Sequence, residues 1–224
     1  MSKPAARHTC GLTPTSGRRI GQTAAMLKVE HLVIRAAAPI SFEVADGACM
    51  VIEGPSGSGK TSILRALADL DPVEGFVFVD GAERMEMSGP EWRRLVRYAA
   101  AEPAWWSATP RAHFPADAEV DIERLIASLG LPRTMLDQPL AELSTGERLR
   151  LALARSLAGH PKVLLFDEPT AALDPEAGAL AEELIRFQKQ AGRSVVLVTH
   201  DAGQASRLGD FRLGLSDTNA EAVS

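Results

Sequence analysis

Residues 54–62 read GPSGSGKTS. Three glycines, three serines, a lysine and a threonine follow an apolar run, CMVIE (residues 49–53). They lead into TSILRALADL (residues 61–70), where Ile63, Leu64, Leu67 and Leu70 recur at helical spacing. Residues 54–61 fit G-x-x-x-x-G-K-[ST] at every position. Glycine-rich backbone between a strand and a helix can curl until successive N–H groups point at one polyanion. The helix beyond presents its positive end to the same oxygens. Lys60 then brings a full charge to the β- and γ-phosphates, and the Thr61 hydroxyl is a ligand for Mg²⁺. A flexible Gly/Ser linker needs neither the lysine nor the strand-and-helix context. Gly54, Pro55, Ser56, Gly57, Ser58, Gly59, Lys60, Thr61 and Ser62 are therefore expected to hold a nucleoside triphosphate with magnesium.

A second acidic signal lies downstream. KVLLFDE (residues 162–168) places Asp167 and Glu168 at the C-terminal end of a strand buried on both faces. Open α/β sheets bind ligands at that end. Asp167 suits a metal-holding role, direct or through water. Glu168 is placed to polarise an attacking water as general base. On its own, "DEP" would equally be a solvated acidic turn before Pro169. The four apolar residues before it and the phosphate loop upstream favour the functional reading.

The remaining pattern is an alternation of strands and helices. LKVEHLVIR (27–35) and ISFEVAD (40–46) look like short strands, the second closed by Asp46-Gly47. FVFVDG (76–81) is a strand, and EWRRLVRYAA (91–100) a short helix running into a strand. From Pro103 to Pro139 the texture changes to prolines and tryptophans around one amphipathic segment, DIERLIASLG (121–130). STGERLRLALARSLAG (144–159) is a helix with Ser144 at its N-cap. DPEAGALAEELIRFQKQAG (174–192) has Asp174 as cap, Pro175 at the first helical position and Gly192 as stop. SVVLVTHD (194–201) is a buried strand and DFRLGL (210–215) a short last one. An α/β fold with a parallel sheet is expected. Residues 1 to about 25 read as a disordered tail, with Met26 a candidate start, and residues 216–224 as a C-terminal tail.

LSTGE (143–147) opens a helix with Ser, Thr and Gly, and is a second ready anion site. Read alone it is a capped helix with Glu147 completing a capping box. Together, LSTGERLRLALARSL, VLLFDEPTAALD and VLVTHD, in order after the phosphate loop, resemble the signature motif, Walker B, D-loop and switch region of ATP-binding cassette (ABC) proteins. The resemblance covers roughly residues 26–215. It implies a P-loop NTPase fold: a RecA-like lobe with N-terminal antiparallel strands, and a helical subdomain inserted at about residues 103–158. It also implies a head-to-tail homodimer in which Ser144, Thr145, Gly146, Glu147 and the D-loop residue Asp174 meet the ATP held by the other copy. His200 resembles the switch histidine that hydrogen-bonds the γ-phosphate. The implied catalytic set is Glu168, His200 and Lys60, with Thr61 and Asp167 on Mg²⁺.

Three departures stand out. The family carries a glutamine where this chain has Ala101, within VRYAAAEPAWW (96–106), so either Glu102 takes its place near the metal or coupling works differently. Trp105 and Trp106 are either lobe packing or apolar anchors for a membrane subunit. No aromatic residue stands at the usual place before the loop to stack on adenine, so either Arg35 covers the base or the adenine contact is loose. The signature has Thr145 for the usual glycine and Glu147 for the usual glutamine.

Bulk properties narrow the function. A net charge of -5 argues against a general nucleic-acid binder. The two cysteines, Cys10 and Cys49, form no metal or disulfide framework. No apolar run approaches the roughly 18 residues needed to cross a bilayer. Arg18 and Arg19 have no apolar stretch behind them, so no secretory signal is expected. The resemblance then implies the ATPase subunit of an ABC transporter, peripheral at the cytoplasmic face of the plasma membrane beside a separate integral membrane permease. The alternative is a soluble ABC-type ATPase not coupled to transport, whose usual second cassette or inserted zinc or coiled-coil segments are not visible. A P-loop kinase would need neither LSTGE nor AALD.

Overall fold

Strands and helices alternate through the chain, and the order decides where the loops meet. The computed structural model describes residues 25–34, 38–72, 74–115, 119–215 and 220–221. Residues 1–24 with Cys10, Arg35, and most of 216–224 lie outside that description. Strands β1 (Ala25–Val33), β2 (Ile40–Ala45) and β3 (Cys49–Glu53) come first, followed by the Gly-rich loop and helix α1 (Lys60–Leu67). Next come β4 (Glu74–Val79), β5 (Ala82–Glu83), α2 (Gly89–Leu95) and β6 (Val96–Ala99). Then follow α3 (Glu119–Ser128), α4 (Thr145–Leu157), β7 (Val163–Asp167) and α5 (Pro175–Gln190). The order ends with β8 (Ser194–Val198), α6 (Ala202–Leu208), β9 (Phe211–Leu215) and β10 (Ala220–Glu221).

Two sheets result. An antiparallel sheet has the order β2-β1-β4-β5, and the larger sheet the order β10-β9-β3-β8-β7-β6. In the larger sheet β9, β3, β8, β7 and β6 are parallel, and β10 adds an antiparallel edge. The fold is therefore α/β, a five-stranded parallel sheet with helices beside an N-terminal antiparallel sheet. β7 and β8 are buried along their whole length, as continuous apolar runs require when both faces are covered.

Alternate side chains of these strands feed two cores. Val51, Leu164, Phe166, Val195 and Leu197 pack with α3, α4, α5 and α6. Met50, Ile52, Leu165, Val196 and Val198 pack with α1, α2 and the antiparallel sheet.

The helix starts follow the caps read from sequence. Ser144 and Glu147 form a capping box on α4, and Asp174 accepts from Ala177 N at 2.9 Å at the start of α5, with Pro175 in its first turn. The structure also holds elements that the sequence did not announce: α6, the two-residue β5, and β10. Ala220 and Glu221, expected within a tail, pair with the open edge of β9.

Between residues 103 and 158 the described chain contains α3, α4 and three single-turn 3-10 segments at Pro110–His113, Arg133–Asp137 and Leu140–Glu142. The two tryptophans there divide. Trp105 packs against the α3–α6 core, while Trp106 is 72% exposed. Between them the buried His113 ring accepts at Nε2 from Trp106 N (2.9 Å) and Ser107 N (3.2 Å), which ties down the turn.

Candidate nucleotide site

β8 lies between β3 and β7, so the C-terminal ends of all three strands are side by side. Ile52 and Asp167 both pair with Val198. The Gly-rich loop leaving β3, the acidic pair leaving β7 and His200 just beyond β8 therefore converge. They border a cavity of about 310 Å³, lined by Ser56, Gly57 and residues 59–62 together with Asp167, Glu168 and His200.

Gly59 is the N-cap of α1 at φ +99°, and Gly57 sits at φ +84° with open space where a Cβ would stand. Both are backbone states that a side chain would strain. Their use here is to turn the chain back over the start of α1. Lys60 is 7% exposed. Its Nζ donates to Gly54 O at 2.7 Å and to Pro55 O at 2.8 Å, so the cation lies along its own loop.

The Thr61 hydroxyl donates to Asp167 Oδ2 at 2.8 Å, joining the first turn of α1 to the end of β7. Tyr98 donates from its hydroxyl to the same oxygen at 3.0 Å. Burial above all, then the charge of Asp167 and this hydrogen bond, push the Tyr98 hydroxyl well above its ordinary pKa. Sequence reasoning missed Tyr98. The contact depends on β6 pairing with β7, and no local motif announces it.

Glu168 takes the left-handed conformation at φ +50°, unusual for a side-chain-bearing residue. Its N–H donates to Val198 O at 2.9 Å. Oε2 accepts from His200 N at 3.3 Å, and Oε1 lies 3.5 Å from His200 Nε2. Oε1 is buried and has no hydrogen-bond partner. A strained backbone and an unsatisfied carboxylate oxygen at one residue are costs that mark a place built for a ligand.

The other expected site residues stand elsewhere. Ser144, Thr145, Gly146, Glu147 and Asp174 are not among the residues lining this cavity. Glu147 Oε2 accepts from Ser144 N at 2.7 Å and Ser144 Oγ at 2.8 Å, and these bonds hold its carboxyl below the usual range. Asp174 is likewise depressed, first by the Ala177 N–H. A Cβ on Gly146 would lie 3.8 Å from Leu173, so the start of α4 adjoins the turn before α5. Ala101 lines the cavity; Glu102 is exposed and does not.

The donor set suits magnesium: a threonine hydroxyl and an aspartate are hard oxygen ligands. Among the described residues no group of three or more His, Cys, Asp or Glu could hold a metal alone. A metal here would complete its shell with phosphate oxygens and water, as Mg²⁺ commonly does.

The parallel sheet, the glycine-rich turn into a helix and the acidic strand end define a P-loop nucleotide-binding protein. The ABC transporter family model matches residues 37–171, more than half of the chain, and the chain belongs to that family. It is 36% identical over 208 residues to the lipoprotein-releasing system ATP-binding protein LolD of Shewanella sp. (strain MR-4), covering 83% of this chain and 87% of that one. It is 35% identical over 182 residues to protein STAR1 of Oryza sativa subsp. japonica, covering 77% of this chain and 53% of STAR1. It thus spans about half the length of STAR1. A solved dimeric, post-hydrolysis state of an ATP-binding cassette bound to ADP and Pi shares the fold, with TM-score 0.74 and 24% identity over 88% of this chain and 97% of that one.

Proposed function

We propose that this chain is the ATP-binding and ATP-hydrolysing subunit of an ABC transporter. It acts as a homodimer on a separate integral membrane permease, from the cytoplasmic face of the plasma membrane. Residues 26–215 work as one ATPase domain, with about 103–158 as its helical lobe. Among the described residues no helix is long and apolar enough to cross a membrane, which fits a division of labour with a permease.

In this reading the backbone N–H groups of residues 54–62 other than Pro55 receive the phosphates, and Lys60 trades its two carbonyl partners for phosphate oxygens. Thr61 and Asp167 would hold magnesium, which would supply positive charge to the phosphate oxygens. Glu168 accepts the proton of the attacking water at Oε1, which accepts no hydrogen bond within the chain, and the neighbouring His200 donates to the γ-phosphate. Ser144, Thr145, Gly146, Glu147 and Asp174 act on the nucleotide of the other copy. Their position away from the Lys60 cavity supports this assignment. Glu102 receives no support as a metal ligand.

One observation carries the catalytic part: a buried carboxylate oxygen on Glu168 that accepts no hydrogen bond, beside a Thr61–Asp167 pair in the same cavity. Glu168→Gln should bind MgATP as the parent does and lose hydrolysis by about 10²- to 10⁴-fold in a phosphate-release assay. Hydrolysis at the parent rate would remove Glu168 from the role of base.

A further inference from the structure

Asp167 is 5% exposed at the end of β7, so its carboxylate depends on donors from the chain. Two hydroxyls supply them, Thr61 Oγ1 at 2.8 Å and Tyr98 Oη at 3.0 Å, and both use Oδ2. They come from different elements: Thr61 from α1, Tyr98 from β6 at the edge of the larger sheet. Strand register explains how Tyr98 reaches the site. Its Cα partner is Leu165, and Asp167 stands two residues further along the same face of β7. The ring packs against the core that this face shares with α1, and a phenylalanine ring has the same shape. The hydroxyl adds nothing to that packing and costs desolvation, which the bond to Asp167 offsets. Beyond Tyr98 the chain reads Ala99-Ala100-Ala101, and Ala101 lines the Lys60 cavity with no polar atom in its side chain. The polar side-chain contact of this stretch with the site is therefore made by Tyr98.

We propose that Tyr98 is a positioning residue for magnesium: its hydroxyl holds the Asp167 carboxylate so that Asp167 and Thr61 stand together as oxygen ligands. This rests on the reading of Thr61 and Asp167 as the magnesium-holding pair. A carboxylate held by one hydroxyl can still turn about its side-chain bonds. A second donor to the same oxygen, from a different element, removes that freedom, and Oδ1 takes neither hydroxyl. Thr61 is itself a member of the pair. Tyr98 does not line the cavity, so its bond to Asp167 leaves the ligand space clear. Losing the hydrogen-bond partner of a metal-holding side chain typically lowers metal affinity about 10- to 100-fold.

The test is Tyr98→Phe in the full chain, which keeps the ring and removes one oxygen. Binding of the β,γ-imido analogue of ATP, whose terminal bond resists hydrolysis, is measured by calorimetry in EDTA and again at saturating MgCl2. In EDTA the variant should bind the analogue as the parent does, which also shows that it folds. The gain in affinity between EDTA and MgCl2 should be smaller than the parent's by about tenfold or more. A purely structural tyrosine would not move this magnesium-dependent part. An unchanged gain overturns the inference, and so does an equal loss of binding in both conditions, which would mark a packing role. A parent whose own binding gains nothing from magnesium would instead overturn the reading of Thr61 and Asp167, and this inference with it.

Discussion

Glu168 shows how a single residue can report a site. Its backbone is in a conformation that side chains avoid, yet its N–H is fixed to Val198 O and its carboxylate to His200 N. The local sequence gave the residue and its neighbour Asp167 but not this geometry, because the geometry depends on β8 lying beside β7. Tyr98 is the clearer case. It reaches Asp167 across 69 residues of sequence, and only strand pairing brings it there. Lys60 and Thr61, by contrast, were legible at once, since the loop, the strand before it and the helix after it are contiguous. Cys49 is a residue whose chemistry burial removes. It is 0% exposed, and burial pushes its thiol up to about 12, against a smaller pull downward from Lys189. At pH 8 it is a thiol, and only the thiolate attacks alkylating agents. Peptide-level mass spectrometry should find Cys49 unmodified after iodoacetamide treatment of the native protein and modified after unfolding in urea. Native alkylation at the rate of a free thiol would contradict the buried placement.

At the scale of elements, the helices whose starts carry strong caps were the easiest to read. α4 and α5 begin at Ser144 and Asp174 because each side chain accepts from an N–H that the helix itself leaves unpaired. α6 was not legible: AGQASRL offers few apolar residues, and its cap, Asp201, also ends the strand-like VLVTHD. What fixes α6 is contact with α5. Glu182 on α5 accepts from Arg207 Nε at 2.8 Å and Nη2 at 2.6 Å, and Gln204 Nε2 adds a bond to Thr170 Oγ1, in the turn before α5, at 2.8 Å. The Arg207 hydrogen bonds hold the Glu182 carboxyl below the usual carboxylate range, against desolvation. The stabilisation is therefore fully present above the unfolded carboxylate pKa of about 4.3. It is lost as pH falls through the lower folded value. Glu182→Gln should lower the melting temperature by on the order of 2–4 °C at pH 7. That gap should stay constant down to about pH 5 and narrow below it, as the parent's carboxyl takes up its proton. A gap that widens in acid would contradict the assignment.

For the whole molecule, the α/β class and the parallel sheet followed from alternating strands and helices, while the strand order could not. The order β9-β3-β8-β7-β6 is a property of how the crossovers fold back, and it is what brings the loop of residues 54–62 to Asp167 and His200. The segment from Pro103 to Pro115 was legible only as a change of texture. Its shape depends on His113, Arg155 and the two tryptophans meeting across the chain. One chain carries two helix starts suited to phosphate, at α1 and at α4, and only the first lines the cavity with Lys60. In the proposed head-to-tail dimer the second start meets the nucleotide of the other copy, and a ligand that binds only the paired state shifts the equilibrium toward it. Light scattering coupled to gel filtration on Glu168→Gln is the measurement to make. With MgATP the variant should elute at twice the monomer mass, and without nucleotide at the monomer mass. A variant that binds MgATP and still elutes as a monomer at saturating nucleotide would contradict the nucleotide-clamped dimer.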